Sequence, residues 1–336
     1  MSFYEYNENI DEEYAEGFEI RKSYFDSEIN FYAPSIKSYE TEDFKNTKSD
    51  SFPPFSITGG SCSLKCEHCN AEILKSMAPA LTPDELFERA DVIHKSGGLG
   101  FLLSGGSNSK GIVDILPYIK AIKKIKSELN LKVIVHCGLI TEEIADGLLE
   151  AGVDSAMLDI IGEEDTIRKI YHLNAEVKDY ENSLKYLSDR KIPCSPHVVI
   201  GLKHGVIAGE FNAIDIISDY DISSLVLVGF MPMHNTKMEN IIPPAAEEIG
   251  EVFLYARKKF IKTPVLLGCE RPYGLSKFKI EELAVKAGLN GIAYPSEGII
   301  PFSVKLGLKP KFSEVCCSLI FSESALPVIE TGNLIC

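Results

Sequence analysis

The sequence predicts an α/β protein, a parallel (β/α)8 barrel of TIM type with an N-terminal helical extension and a C-terminal cap. Three observations point there. The chain has 336 residues, enough for the roughly 250 that such a barrel needs plus extensions. From Pro54 onward, short β-rich apolar runs alternate with longer helical patterns, the rhythm of βα units. No GxGxxG follows a first strand, which disfavours the open doubly wound sheet as the alternative. No composition break marks a second domain, so the expected division is an extension over 1–53 and a capped barrel over 54–336.

Residues 1–50 carry 13 acidic and five basic residues, yet also eleven Phe and Tyr from Phe3 to Phe44. A solvated acidic tail would not hold so many aromatics, so this segment is expected to be a helical cap packed on one barrel end. Strands are expected over 55–58, 100–104, 132–137, 154–160, 194–201, 225–230, 264–268 and 291–294. Helices lie between them. Thr82-Pro83-Asp84-Glu85 is a capping box with Pro at the first helical position, opening a helix over 82–96. Thr141 caps the next example, Ile144, Leu148 and Leu149 face the core, and Gly152 ends it.

Charge and apolar runs limit the partners. With 34 Lys and Arg against 49 Asp and Glu, the net charge is −15, which gives no global attraction for phosphate, so nucleic acid is not an expected partner. The longest apolar runs, such as 225–233, fall far short of the roughly 20 residues that span a bilayer. The first residues, MSFYEYNENIDEE, show neither a basic n-region nor an apolar h-region, so a cytoplasmic protein is expected. In a reducing compartment the nine cysteines are expected as free thiols or as metal or cluster ligands.

Immediately after the first expected strand stands Cys62-Ser63-Leu64-Lys65-Cys66-Glu67-His68-Cys69, a CxxxCxxC spacing. A cubane cluster with three protein thiolates leaves one iron free for another molecule. Structural zinc, the competing reading, wants four protein ligands, and no second pair of cysteines lies nearby. The loop resembles that of the radical S-adenosylmethionine superfamily, which holds a [4Fe-4S] cluster on such a triad and uses the free iron for S-adenosylmethionine. His68 departs from the aromatic residue usual at its position.

The resemblance extends from about 55 to 295 and points to the biotin-synthase-like branch. It implies that Ser104, Gly105 and Gly106, after the second strand, present backbone carbonyls to the amine of the cofactor. Ser107 stands where an acidic residue is usual. Asp159, ending the fourth strand, matches the position that binds the ribose hydroxyls. Ile200 and Gly201 match the strand-five segment bordering the adenine. Arg168 or Lys178 is expected to pair with the cofactor carboxylate, although either is also a candidate for an ordinary surface cation.

A second, auxiliary iron–sulfur cluster is expected where Cys137, Cys269, Cys316 and Cys317 reach the barrel mouth, a buried free thiol being the alternative for each. Cys194 is set aside, because strand alternation turns it outward if Ser195 and His197 face inward. No cysteine triad precedes Cys62. With Phe31-Tyr32-Ala33-Pro34 and Cys269-Glu270-Arg271-Pro272, the chain most resembles a subunit of the two-subunit lipoyl synthase. That resemblance implies sulfur insertion into an octanoyl chain carried on a lipoyl carrier protein. It also implies a second radical SAM subunit and a reduced ferredoxin or flavodoxin-type electron donor. Radical rearrangement, hydrogenase-cofactor maturation and a non-catalytic iron–sulfur protein are the alternatives. An acyl channel is expected from Val199, Leu227, Phe230 and Met231. Lys120, Lys123, Lys124 and Lys126 form either a landing face for the donor or a solvated helix face.

Overall fold

The computed structural model describes residues 4–44, 50–325 and 329–330; Phe3 and the last residues of the expected cap lie outside them. The strands are β1 (Glu28–Tyr32), β2 (Pro54–Ser56), β3 (Ala78–Pro79), β4 (Gly100–Ser104), β5 (Lys132–His136), β6 (Ser155–Met157), β7 (His197–Ile200), β8 (Leu225–Gly229), β9 (Val265–Leu267), β10 (Gly291–Ala293), β11 (Lys309–Ser313) and β12 (Ile329–Glu330). The helices are α1 (Glu12–Tyr24), α2 (Pro83–Ser96), α3 (Ile119–Leu129), α4 (Glu142–Ala151), α5 (Glu164–Lys169), α6 (Val177–Asp189), α7 (Glu210–Ser218), α8 (Ala246–Lys259), α9 (Leu275–Lys286) and α10 (Ile299–Lys305).

The helix ends follow the chemistry of their caps. Thr82 Oγ1 accepts from the Glu85 N–H at 3.2 Å, while Glu85 accepts in return from the Leu81 N–H at 2.7 Å. Thr141 caps α4 through the Ile144 N–H, and Gly152, at φ 67°, ends it in the left-handed region. Along α4, Ile144 and Leu148 are buried as expected, whereas Leu149 is half exposed.

One sheet runs β12-β11-β1-β10-β9-β8-β7 and the other β3-β2-β4-β5-β6. Isolated parallel bridges from Ala156 to Cys194 and from Asp159 to His197 join β6 to β7. All eight expected strands therefore occur, as β2 and β4 to β10, in the expected order. The segment over 1–53 is a different matter. It supplies α1 but also β1, which lies parallel to β10 on one side and β11 on the other. The physical reason is a short period-two pattern, with Ile29 and Phe31 fully buried on one face.

A short 3-10 segment, Cys317–Ala325, reports the curvature. It touches β6, β10 and β1 together. Five strand steps separate β6 from β1, about 24 Å in a flat sheet at ~4.8 Å per step, so the strands wrap around this segment. The Ser195 hydroxyl meets Ser155 Oγ at 3.3 Å, Ser224 Oγ at 2.9 Å and the Ser318 carbonyl at 3.3 Å. These serines therefore face the lumen, and alternation carries Met157, Asp159, His197, Val199, Val226 and Val228 inward with them.

Candidate functional site

The cysteine loop leaves β2 and curls at the strand ends. Lys65, Asn70 and Ala71 all have positive φ, at 48°, 44° and 63°. Such backbone costs energy for residues with a Cβ and persists where a site needs it. Cys66 is buried, its thiol 3.7 Å from the Tyr171 carbonyl, and the Cys62 thiol is 3.8 Å from the Ser107 carbonyl. The Cys69 sulfur accepts from the Cys66 thiol, with His68 and the Ala71 N–H adding to it, and these donors hold it well below the ordinary thiol range. Cys66, which gives that hydrogen bond and is buried, is pushed up. Cys69 is thus favoured as the thiolate, the form of cysteine that ligates iron, and Cys66 as the thiol that donates to it. Among the described residues no three His, Cys, Asp or Glu side chains are drawn around a single point; a cubane seats its cysteines on separate irons and asks for a wider spacing.

The glycine segment fits against this loop. A Cβ on Gly106 would lie 1.9 Å from the Ser61 carbonyl oxygen and 2.6 Å from Cys62 Cα. Only glycine lets the two backbones approach so closely. Its N–H donates to Thr58 Oγ1 at 2.7 Å, and Ser104 Oγ donates to the His136 carbonyl at 3.1 Å. Ser107 accepts from the Ser63 N–H at 2.8 Å. Gly105 packs on Ile57 and Thr58.

Asp159 faces the lumen at the end of β6. Its Oδ2 accepts from the Tyr171 hydroxyl at 3.4 Å, and its Oδ1 is 3.7 Å from His136 Nε2. Burial pushes this carboxyl up, but the hydrogen bond and charge of His136, with His197 and His68, outweigh it and bring the value down to about 2. The His197 ring lies 5.5 Å from that of His136, and its Nδ1 donates to the Ser195 carbonyl at 3.0 Å. Burial, with the neighbouring His136, lowers His197 to about 4. The sequence reading missed His136 and Tyr171; His136 was legible as the inward neighbour of Cys137.

The remaining cysteines divide. Burial pushes Cys269 up to about 12, and it feels the charge of Cys316. Cys316 accepts from the Cys317 thiol and from the Ser318 N–H, is 3.6 Å from Ser318 Oγ and lies near His136, and these neighbours bring it down to about 7 against the opposing effect of burial. Cys317 is pushed up by giving that hydrogen bond and by burial, and it too feels Cys269. Cys316 and Cys317 thus form a pair, and Cys269 is near enough to interact with both electrostatically. Cys137 does not join them. His136 points inward, so Cys137 points outward to the helices, where burial pushes it up to about 12 and its neighbour is the outward-facing Cys194. The Cys269 loop is held by Arg271, which donates to Glu281, to the Gly268 carbonyl at 2.8 Å and to the Ala293 carbonyl at 2.7 Å, and by Lys37, 3.3 Å from the Cys269 carbonyl.

Other expected residues stand elsewhere. Arg168 and Lys178 are more than half exposed and pair with Glu164 at 3.5 Å and Glu181 at 2.7 Å on their own helices, not with the lumen. Ile200 is fully buried on the outward face, so only its backbone borders the strand end. Gly201, at φ 85°, donates its N–H to Glu210 at 2.7 Å. A cleft beside it is lined by Ile160, Gly162, Val199, Leu202 and Lys203. Leu227 faces the helices, so the inward apolar positions on β8 are Val226 and Val228. Lys123, Lys124 and Lys126 pair with Glu150, Glu128 and Asp154. No helix among the described residues is long and apolar enough to cross a membrane.

Comparison with known proteins agrees with this geometry. Biotin synthase of Clostridium acetobutylicum is 23% identical over 260 residues, covering 75% of this chain and 77% of that protein. The fold is similar to methylornithine synthase (TM-score 0.60, 15% identity, 91% of this chain and 90% of that one). It is also similar to the FeFe-hydrogenase maturase HydG of Carboxydothermus hydrogenoformans (TM-score 0.64, 15% identity, 89% and 71%). The family model that matches, over residues 56–205, is the Radical SAM superfamily. With its cysteine loop, glycine segment and strand-end carboxylate assembled at one end of a parallel α/β fold, the chain carries a Radical SAM domain over residues 56–205 and is similar in sequence to biotin synthase.

Proposed function

We propose that this enzyme inserts sulfur into an octanoyl chain held on a lipoyl carrier protein, acting with a second radical SAM subunit and a ferredoxin or flavodoxin-type donor. What supports the reading is the nearness of Cys269 to the Cys316–Cys317 pair, set apart along the chain from Cys62, Cys66 and Cys69. When bound, S-adenosylmethionine and the two clusters would supply a 5′-deoxyadenosyl radical and sulfide, so that each carbon–hydrogen bond replaced by carbon–sulfur consumes one cofactor, one donor electron and one sulfide, with the hydrogen leaving on 5′-deoxyadenosine and the electron released on carbon–sulfur bond formation taken by iron of the auxiliary cluster.

The residues of the chain supply placement. Cys62, Cys66 and Cys69 would hold the first cluster, and Ser104, Gly105 and Gly106 bring backbone close to it. Asp159, kept ionised by His136, accepts hydroxyl hydrogen bonds from a ribose. Ile200 and Gly201 border the adenine through backbone. Cys316, the most acidic thiol of its group, is the first ligand offered to the auxiliary cluster, with Cys269 and Cys317 beside it. Cys317, Ser318 and Leu319 are buried at the start of a segment that touches β6, β10 and β1.

Mass spectrometry of an octanoyl-lysine carrier, incubated anaerobically with both subunits, reductant and S-adenosylmethionine, tests this. Thiolated octanoyl product supports it. Cofactor cleavage without added sulfur overturns it in favour of rearrangement or maturation chemistry. The His136 and His197 rings, 5.5 Å apart, favour that second reading, because they suit a polar substrate better than an alkyl chain.

A further inference from the structure

Glu67 stands between Cys66 and His68 in the cysteine loop, yet three other loops engage its carboxylate. Its Oε1 lies 2.8 Å from Lys237 Nζ and 3.8 Å from His172 Nε2, and its Oε2 lies 3.1 Å from His204 Nε2. His172 follows β6, His204 follows β7 and Lys237 follows β8. Backbone contacts run the same way, from the Glu67 N–H to the Ile170 carbonyl at 2.8 Å and from Asn70 Nδ2 to the Asn235 carbonyl at 3.3 Å. The loop after β2 is therefore tied across the mouth to the loops of three strands on its far side.

Two features separate this from a casual surface pair. An isolated exposed ion pair contributes little, but the Glu67 side chain is only 16% exposed and takes three partners at once. Strain is concentrated here too. Nine described non-glycine residues have positive φ, and six of them, Lys65, Asn70, Ala71, His172, His204 and Asn235, lie in these four loops. Backbone of that kind holds only where its surroundings over-determine it.

We propose that Glu67 is a positioning residue that clasps the cysteine loop across the barrel mouth, keeping Cys62, Cys66 and Cys69 in ligating register and restricting passage to the iron they hold. The inference rests on the reading of those cysteines as cluster ligands. Lys237 is the permanent cation of the clasp, His204 shares a hydrogen bond with the carboxylate, and His172 stands beside it at 3.8 Å.

Two measurements on the full chain test it. Amide hydrogen exchange over residues 61–71, without metal, is expected to quicken in Glu67→Gln and in Lys237→Glu. Iron release from anaerobically reconstituted protein to a ferrous chelator, bathophenanthroline disulfonate, is expected to quicken about tenfold in both, the effect of losing a network instead of a lone pair. The charge-swapped Glu67→Lys/Lys237→Glu protein is expected to release iron at least threefold more slowly than Lys237→Glu alone, a rescue that mere disturbance of folding would not give. Wild-type exchange and release in Glu67→Gln, or a swap no slower than the single variant, overturns the clasp. Should Glu67→Gln fail to fold, Lys237→Ala at the exposed end carries the same exchange test. Should wild type take up no iron, the cluster reading fails while the exchange result still decides the clasp.

Discussion

His136 Nε2 lies 3.7 Å from Asp159 Oδ1, joining the last residue of β5 to the carboxylate that follows β6. Neighbouring parallel strands bring the two side chains to one face of the lumen because both occupy inward positions. The pair keeps a negative charge at the strand ends that burial alone would neutralise, and it sets His136 between that carboxylate, His197 and Cys316.

This arrangement predicts a dependence of stability on pH. His197 is depressed to about 4 from the ~6.5 of an unfolded histidine, so the folded state binds fewer protons between those values. Its contribution is whole above pH ~6.5 and is lost as pH falls toward 4. Asp159, near 2 against ~3.9 unfolded, adds a second loss between those values. Urea unfolding of apoprotein should show His197→Gln flattening the pH 6.5 to 4 limb by about 2 to 3 kcal/mol. An unchanged slope would mean that His197 is not held neutral.

Gly106→Ala should separate the glycine segment from the cysteine loop. Its Cβ would meet the Ser61 carbonyl oxygen at 1.9 Å, backbone against backbone, with no side chain free to give way. A loss of about 1 to 3 kcal/mol in stability is expected, together with at least a tenfold fall in 5′-deoxyadenosine formation measured by chromatography. Wild-type activity in this variant would refute the tight fit.

The division of the cysteines is open to iron counting. Replacing Cys62, Cys66 and Cys69 by Ala should abolish 5′-deoxyadenosine formation and leave a cubane-like signal on the second group. Replacing Cys269, Cys316 and Cys317 should remove that signal and retain cofactor cleavage. Cys137→Ala should change neither iron nor sulfide content. Loss of one cluster in Cys137→Ala would restore this residue to the ligand set.

Arg271 and Glu281, exposed by 1% and 0%, form a buried ion pair. Glu281 also accepts from the Ser296 N–H at 2.7 Å. Arg271→Ala strands the carboxylate without its main counterion, so a cost of about 3 to 5 kcal/mol is expected in denaturant titration. The Gly268 carbonyl loses its donor as well, so iron on the second cysteine group should fall while that on the first is kept. Equal loss from both would indicate general unfolding.

Local chemistry determined what the sequence made legible. The βα rhythm placed eight strands, Thr82 and Thr141 marked helix starts, and the CxxxCxxC spacing located a thiolate loop, because each of these depends on residues within one or two turns of chain. The lumen was decided by tertiary structure. Whether Cys137 or His136 enters it is a matter of strand register, which moves every side chain to the opposite face for a slip of one residue. Arg168 and Lys178 were read as cofactor partners, but the carboxylates nearest them are on their own helices. β1 was hidden in an acidic, aromatic segment because its place between β10 and β11 depends on strands more than 250 residues away. The convergence of Cys269 with Cys316 and Cys317, and the clasp on Glu67, likewise exist only once the strands curl around the Cys317–Ala325 segment. Spacing along the chain sets which chemistry is available, and only the pairing and register of the strands set which groups share one face.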